Sequence, residues 1–292
     1  MHGLGEATAA ITIVNALPTG IGSAVGIDLR TRVEVELHPA GSHGKWDVRM
    51  AELARTPLVI ASLTEALRRF APGSSGRGEL KLHSEIPAAR GLKSSSAVST
   101  AVFLAVARAT ETEVEPIDLA RLSASVARSA GVSATGALDD ALAGLTTGVV
   151  VTDNRQGELL RSYSTGPHLG VALYVPDLAH PPSPEWTAAF EAEAPTSRVA
   201  VEAALSGDWV KAMHENTRLV ERVMGYDYAL LRAEVSRRGA VASGVSGMGP
   251  ALAAIAPEDR LREVLAAFPG VSDRRRTVAF STNSPRDRGG FS

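Results

Sequence analysis

The sequence predicts an α+β fold, because short segments with the period of a strand are interleaved with longer segments with the period of a helix. This alternation follows no internal repeat. The chain has 292 residues, of which 45% are hydrophobic, so it can bury a sizeable core in two medium domains or one large one. A change in composition at residues 163–168 predicts a boundary between two halves, 1–165 and 166–292.

Two strands are predicted close to the N-terminus. Residues 7–14 are apolar and include Thr and Ile, which favour extended backbone. Residues 30–37 alternate between charged and mainly apolar side chains, which is the period of a half-buried strand. The residues between these strands, 15–26, contain three glycines and are predicted to form turns.

The next segments predict a helix, a loop, a strand and a buried helix. Residues 58–70 place their leucines and a phenylalanine on or near one helical face. Pro, Gly and Ser residues predict a loop at 71–78, and residues 79–86 resemble a strand. Residues 96–109 are rich in alanine and apolar nearly all round, so this helix is expected to be buried.

The remaining elements continue the same alternation. Further helices are predicted at 117–129, in a short stretch within 131–145, and at 188–204, 209–224, 228–238 and 261–268. Further strands are predicted at 147–152, at 169–175 and at 277–281. Residues 240–256 predict a strand, a glycine-rich turn and then a second strand or a helix. Residues 181–184 predict a rigid proline loop, and the tail at 285–292 is expected to be loosely held.

Composition excludes several classes of protein. The formal net charge of -2 gives no drive toward nucleic acid or an acidic membrane surface. With no cysteine, disulfides, thiolate metal sites and a cysteine nucleophile are excluded. The seven histidines show no metal-binding spacing, and no signal peptide or apolar run of about 18 residues is present. A cytoplasmic protein without a nucleic-acid or membrane partner is therefore expected, and its oligomeric state is left open.

The most informative segment is a serine-rich loop that leads into the alanine-rich helix. Exposed amides and hydroxyls at a helix N-terminus bind anions, so the loop is interpreted as a cradle for a nucleotide triphosphate. The candidate nucleotide-binding residues are Pro87, Ala88, Ala89, Arg90, Gly91, Leu92, Lys93, Ser94, Ser95, Ser96 and Ala97. The spacing matches neither a Walker A motif nor a dinucleotide turn. In the alternative interpretation the serines are ordinary N-caps, and Lys93 points either at a phosphate or into solvent.

A glycine-rich segment and an acidic segment are further candidates. Residues 243–251 carry Gly244, Ser246, Gly247 and Gly249, which suit close approach of backbone to a ligand or, alternatively, a tight hairpin. One of the two adjacent carboxylates is interpreted as a general base or a metal ligand for phosphoryl transfer, and the alternative is that they are the N-cap and first-turn acids of a helix. These candidate catalytic residues are Asp139 and Asp140.

The stretch from residue 15 to residue 28 is the last candidate. Its residues are interpreted as one wall of a small-molecule pocket, and the alternative is a flexible link between two strands. The residues proposed for this wall are Asn15, Thr19, Gly20, Gly22, Ser23 and Asp28.

Together these segments resemble the GHMP kinases, the group that includes galactokinase, homoserine kinase and mevalonate kinase. Residues 87–97 resemble the phosphate loop of that group, residues 136–141 its acidic motif and residues 243–251 its C-terminal glycine motif, in the family's order. The run Gly-Leu-Lys-Ser-Ser-Ser at 91–96, with Lys in place of the usual Gly, is similar to the archaeal-type shikimate kinases. The opening segment at 14–29 and the paired aspartates also look like that branch.

The resemblance implies a two-domain GHMP fold with ATP and substrate in the cleft between the domains. It implies Mg²⁺-dependent transfer of the γ-phosphoryl group of ATP to the 3-hydroxyl of shikimate, in the route to chorismate and the aromatic amino acids. By the same resemblance Asp139 is the candidate base and Asp140 a metal or substrate ligand. The three serines would hold phosphates and Mg²⁺, with Ser95 as the metal ligand.

Two departures from the family pattern bear on this expectation. Residues 15–29 contain no basic residue, so the negative charge of the ATP phosphates is expected to be neutralised by Lys93 or Arg30. No carboxylate lies between Asp118 and Asp139, where many family members carry a metal-binding Glu. Homoserine kinase is the alternative enzyme, and a non-catalytic nucleotide-binding regulatory protein is the alternative of another class.

Overall fold

Two β-sheets with helices packed against them form the structure, a computed structural model that describes residues 1–42, 44–166, 168–178, 183–270 and 274–278. The strands are β1 (His2–Val14), β2 (Ile21–Ser42), β3 (Trp46–Met50), β4 (Ser74–Ser84), β5 (Val149–Asp153), β6 (Glu158–Tyr163), β7 (Leu169–Tyr174), β8 (Ala242–Val245), β9 (Leu252–Pro257) and β10 (Arg274–Val278). The helices are α1 (Pro57–Phe70), α2 (Ser94–Ala109), α3 (Pro116–Ser129), α4 (Leu138–Ala143), α5 (Pro184–Ala192), α6 (Ala194–Ser206), α7 (Trp209–Met224), α8 (Ala229–Arg237) and α9 (Leu261–Ala267).

The first sheet is organised around the long strand β2. β2 pairs with β1 on one side, and on the other with β5 through its first residues and β4 through its last. The order is β3-β4-β2-β5-β6, with β1 off this path. Helix α2 crosses β1 so closely that a Cβ at Gly3 or Gly5 would collide with the backbone of Ala105 or Ala101. This approach requires small residues on the face of α2 that meets β1, where Ala101, Ala105 and Ala109 lie.

The second sheet has the order β10-β7-β9-β8 and is antiparallel throughout. The first sheet ends at Tyr163, and the second begins at Leu169. The main hydrophobic core nevertheless continues from one half to the other, since Leu173 and Met213 belong to the same buried cluster as Ile11. Among the described residues no helix is long and apolar enough to cross a membrane.

Three segments differ from the sequence-based prediction, two of them because strand pairing overrides local glycine content. Residues 21–26 were predicted as turns, but they begin β2 and pair with β1 and β5. Residues 74–78 were predicted as loop, but they begin β4 and pair with the end of β2. Residues 188–204 were predicted as one helix, but the helical segment is divided at Glu193 into α5 and α6.

Two strands, β3 and β6, were missed altogether. β6 is an outer strand exposed along nearly its whole length, so its side chains do not alternate between core and solvent. β3 is short and carries two charged residues. Of the proline loop predicted at 181–184, residues 181 and 182 lie outside the described residues and Pro184 begins α5. The strand predicted at 277–281 is described at 274–278 only, and the tail at 285–292 lies outside the described residues.

Candidate active site

A cavity of about 550 Å³ opens between the two halves of the chain. The first half supplies the residues that follow β1, the serine loop and the segment from the end of α3 into α4. The second half supplies Thr187 on α5 and the glycine segment at 247–249. Three of the segments singled out in the sequence therefore meet around one volume, which is of the size that small-molecule sites usually have.

The serine loop forms one wall at the N-terminus of α2. Helix α2 begins at Ser94, two residues earlier than predicted, so all three serines lie in its first turn. The N-cap residue is Lys93, and it makes no capping side-chain hydrogen bond. The alternative interpretation of the serines as N-caps is therefore wrong. The amides of this turn have no partner within the helix, and together with the serine hydroxyls they offer an anion site.

Gly91 brings this loop against the glycine segment. Its φ is +82°, and a Cβ at this position would collide with the carbonyl oxygen of Ser246 and lie 3.1 Å from that of Gly249. The Ser246 hydroxyl donates to the Gly91 carbonyl over 2.7 Å, and the Ala251 amide donates to the Arg90 carbonyl over 3.2 Å. Only glycine satisfies both the backbone conformation and the close approach.

The glycine segment is also joined to the end of β1. The Thr12 amide donates to the Ser246 hydroxyl over 3.2 Å, and the Gly247 amide donates to the Thr12 hydroxyl over 2.9 Å. Asn15 donates from its side chain to the Gly247 carbonyl over 3.2 Å. The segment does connect two antiparallel strands, as the hairpin alternative holds, and it also lines the cavity. Together with the contacts to Gly91 and Arg90, these hydrogen bonds hold the serine loop, the glycine segment and the end of β1 in fixed relative positions.

The two aspartates lie in the first turn of α4 and are both buried, with exposures of 3% for Asp139 and 7% for Asp140. The N-cap of this helix is Ala137, which has left-handed backbone and no capping side-chain hydrogen bond, so neither aspartate is the N-cap. Asn154, directly after β5, donates to Oδ1 of Asp139 over 2.9 Å. Gly22 lies beneath the same carboxylate, since a Cβ there would be 2.5 Å from Oδ2.

Lys93 and Asp140 form an ion pair inside the cavity, with 3.1 Å between Nζ and Oδ1. Oδ1 is nevertheless a buried atom without a hydrogen-bond partner. The contact is an ion pair at 3.1 Å that does not meet the angular criteria of a hydrogen bond at Oδ1. Oδ1 therefore keeps unused capacity to bind a further group.

Burial sets the protonation of this pair. It raises the pKa of Asp139, and the nearby Lys93 ammonium and the Asn154 hydrogen bond act in the opposite direction. Burial also raises the pKa of Asp140 to about 7, with Lys93 lowering it and the Asp139 charge raising it further. Two carboxyl groups with raised pKa values in one cavity are typical of a functional site.

Several residues proposed from the sequence do line the cavity. They are Asn15, Ala88, Ala89, Gly91, Leu92, Lys93, Ser94, Ser95, Ser96, Asp139, Asp140, Gly247 and Gly249. The other candidates are not among its lining residues: Thr19, Gly20, Gly22, Ser23, Asp28, Pro87, Arg90, Ala97, Gly244 and Ser246. Of these, Gly22 lies against the Asp139 carboxylate, and Ser246 hydrogen-bonds to Gly91 and Thr12, so both contact residues that line the cavity.

Three of the other candidates outside the cavity, Asp28, Arg90 and Gly244, are held by other contacts. Asp28 accepts from Arg30, whose guanidinium also donates to Glu6, so Arg30 is engaged elsewhere and does not neutralise charge in the cavity. The Arg90 side chain pairs with Asp177 over 2.6 Å. Gly244 packs against Thr217 and Met213 of α7.

Sequence reasoning missed residues that reach the cavity, or one of its aspartates, through tertiary structure alone. Asn154 follows β5 without any motif, and its contact with Asp139 depends on how α4 lies against that strand. Ser133 and Thr135, in the loop before α4, line the cavity and hydrogen-bond to amides of their own loop. Thr12 lies inside a predicted strand and gave no separate signal.

Comparison with known proteins gives a consistent result. The family of GHMP kinases N terminal domains matches residues 58–148. A shikimate kinase from Pyrococcus furiosus is 36% identical over 92% of this chain and 97% of its own length. A shikimate kinase from Methanococcoides burtonii is 35% identical over 87% of this chain and 86% of its own length.

Solved structures agree at the level of the fold. The mevalonate kinase of Methanococcus jannaschii superposes with a TM-score of 0.71 at 14% identity, over 96% of this chain and 99% of its own. A homoserine kinase from Cytophaga hutchinsonii superposes with a TM-score of 0.67 at 15% identity, over 96% of each chain. Similarity at this level of identity bears on the fold alone.

Proposed function

The chain belongs to the shikimate kinases of the GHMP kinase superfamily, and from this membership we infer that it transfers a phosphoryl group from ATP to shikimate. The observation that carries the inference is sequence identity of 32–36% with curated shikimate kinases across most of the chain. The homoserine kinase alternative is supported only by fold similarity at 15–18% identity. We further propose that residues 1–165 and 166–292 are the two domains of this fold.

We propose that the N-terminal turn of α2 holds the phosphates of ATP. The turn carries three serine hydroxyls, and its amides have no partner within the helix. The positive end of the helix dipole favours an anion at this position. The hydrogen bonds from Ser246 and Ala251 to the carbonyls of Gly91 and Arg90 support the function by keeping the loop in place.

Asp139 is the proposed base. In the transfer the 3-hydroxyl oxygen of shikimate attacks the γ-phosphorus, the bond to the bridging oxygen of ADP breaks, and the hydroxyl proton passes to the Asp139 carboxylate. Burial supports this role, because a raised pKa brings a carboxyl group closer to the range in which it accepts a proton efficiently. Asn154 and Gly22 orient the carboxylate from the side and from below.

Mg²⁺ is proposed as the second cofactor. The protein groups that fit it are Oδ1 of Asp140, which is buried without a hydrogen-bond partner, and the exposed hydroxyl residue Ser95. The described residues hold no cluster of three acidic or histidine side chains, so phosphates and water would supply most of the ligands, as is usual for Mg²⁺. When bound with ATP, Mg²⁺ supplies charge neutralisation on the phosphates.

The test measures ADP release with ATP and Mg²⁺, in the presence of shikimate or of homoserine. We expect release that depends on shikimate, and turnover of homoserine alone would contradict the assignment. Asp139→Asn is expected to lower kcat by about 10²–10⁴-fold while nucleotide still binds. Asp118→Asn is the matched control, because Asp118 lies exposed on α3, paired with Arg121. A wild-type protein that binds nucleotide but never turns over would favour a regulatory function.

A further inference from the structure

Lys93 occupies a backbone conformation that disfavours any side chain. Its φ is +66° and its ψ is +30°, the left-handed region that costs a non-glycine residue about 1 kcal/mol. Among the described residues, five non-glycine residues have positive φ, and three of them line the cavity: Ala89, Lys93 and Ala137. Backbone strain concentrated at a site is an indication that the strained residue serves a function there.

The Lys93 side chain is directed into the cavity and not into solvent. Its exposure is 13%, and Nζ lies 3.1 Å from Oδ1 of Asp140. A Cβ added at Gly247 would be 3.4 Å from the same Nζ. The ammonium therefore lies where the serine loop, the acidic segment and the glycine segment meet.

No other cation among the described lining residues shares this position. Lys93 is the lining residue with a positive side chain. Nearby arginines are committed to other partners: Arg90 to Asp177, Arg30 to Asp28 and Glu6, and Arg128 to the carbonyls of Thr135 and Asn154. An ammonium has three donors, and the single ion-pair contact with Asp140 leaves two of them for an incoming anion.

We propose that Lys93 is the cation of the phosphoryl-transfer step, with its Nζ positioned by Asp140, beside Gly247, to contact the γ-phosphate of ATP. The proposal rests on the kinase function proposed above. The ammonium would neutralise charge on the transferred group, a role that needs a cation beside the acidic pair. The segment after β1 does not supply one, since residues 15–29 contain no basic residue. A glycine at position 93 would relieve the strained backbone but would provide no positive charge.

The experiment compares the affinity for ADP with that for a non-hydrolysable ATP analogue, by calorimetry, in wild type and in Lys93→Gly. We expect the variant to lose at least about tenfold in affinity for the analogue and to bind ADP as wild type does. Its kcat is expected to fall by about 10²–10³-fold, with the KM for shikimate little changed. Equal losses for both nucleotides, or no loss for either, would overturn the proposal. Lys93→Met provides the same comparison should Lys93→Gly not fold.

A second comparison tests whether the Lys93 ammonium acts on the phosphate or only balances the charge of Asp140. In an Asp140→Asn background, adding Lys93→Gly should again weaken binding of the analogue and not of ADP. If Lys93 only balances the Asp140 charge, the second substitution changes neither affinity, and the proposal fails. The binding readout does not depend on shikimate turnover, so it stays informative even if the substrate assignment is wrong.

The matched control for backbone strain is Glu111→Gly. Glu111 has a φ of +53° and lies exposed beyond the end of α2, away from the cavity. This substitution relieves the same kind of strain without removing charge from the cavity. We expect both nucleotide affinities and kcat to stay at wild-type values in this variant, and a selective loss of analogue binding in it would contradict the role of the Lys93 ammonium.

Discussion

Asn154 holds the carboxylate of Asp139 through a hydrogen bond of 2.9 Å from Nδ2 to Oδ1. The Asn154 amide oxygen in turn accepts from the Thr152 hydroxyl over 2.7 Å. All three side chains are buried, so the orientation of the carboxylate is set by the end of β5. A positioned acceptor is what proton abstraction from a substrate hydroxyl requires.

Asn154→Ala is expected to lower kcat by about tenfold and to shift the pH dependence of activity. The hydrogen bond from Asn154 lowers the pKa of Asp139, so its removal raises that pKa. Asp139 then becomes protonated at higher pH, and the acidic limb of kcat/KM moves to higher pH. Thr152→Val removes the hydroxyl that donates to Asn154 but keeps Asn154 itself. We therefore expect it to shift the acidic limb in the same direction by a smaller amount. An unchanged acidic limb in Asn154→Ala would contradict the proposed role of Asp139 as base.

Gly22→Ala is expected to displace the Asp139 carboxylate without straining the backbone. Gly22 lies in β2 and is not in the left-handed region, but a new Cβ would be 2.5 Å from Oδ2. We expect kcat to fall by about 10²-fold, because small misplacements of a reacting group carry large costs. The matched control is Gly41→Ala in the same strand, where the nearest atom is 3.8 Å away. Equal kcat values in the two variants would contradict this expectation.

Gly91→Ala is expected to weaken the joint between the serine loop and the glycine segment. The substitution combines a φ of +82° with a collision against the Ser246 carbonyl. Gly73→Ala is the matched control, since its φ is +72° and nothing lies within 4 Å. We expect the control to lose about 1 kcal/mol in free energy of unfolding and Gly91→Ala to lose more, together with nucleotide affinity. The measurements are denaturant titration and calorimetry, and equal losses would show that the contact with Ser246 does not matter.

The sequence predicts those parts of the site that are formed by residues lying near one another in the chain. The serine loop and the acidic segment each lie within about ten residues, so their chemistry can be read from local order. The partners that bring them together come from distant positions, as Thr12 and Asn154 illustrate. Their residue types are ordinary for a strand and a turn, so no local pattern marks them.

The same reasoning explains why only part of the pocket wall predicted at residues 15–28 lines the cavity. The stretch was interpreted as one wall of a small-molecule pocket or, alternatively, as a flexible link. In the structure Gly22 is needed because a buried carboxylate lies above the strand, and Asp28 is engaged with Arg30. A glycine read from sequence does not say whether it serves a turn, a ligand or a neighbouring side chain. The choice among these is made by packing, which depends on the whole fold.

Asp140 gives a prediction about stability in the metal-free protein. Burial raises its pKa from an ordinary 3.8 to about 7, so between these values the folded protein keeps a proton that the unfolded chain has released. The protonated Asp140 carboxyl therefore contributes its full stability below pH 3.8. This contribution is lost as the pH rises toward about 7, the pKa in the folded protein. Asp140→Asn does not titrate and escapes this loss. We expect the free energy of unfolding of the variant, relative to wild type, to rise by up to about 4 kcal/mol between about pH 4 and about pH 8. Denaturant titrations with a chelator present measure this difference, and a constant difference across the range would contradict the raised pKa.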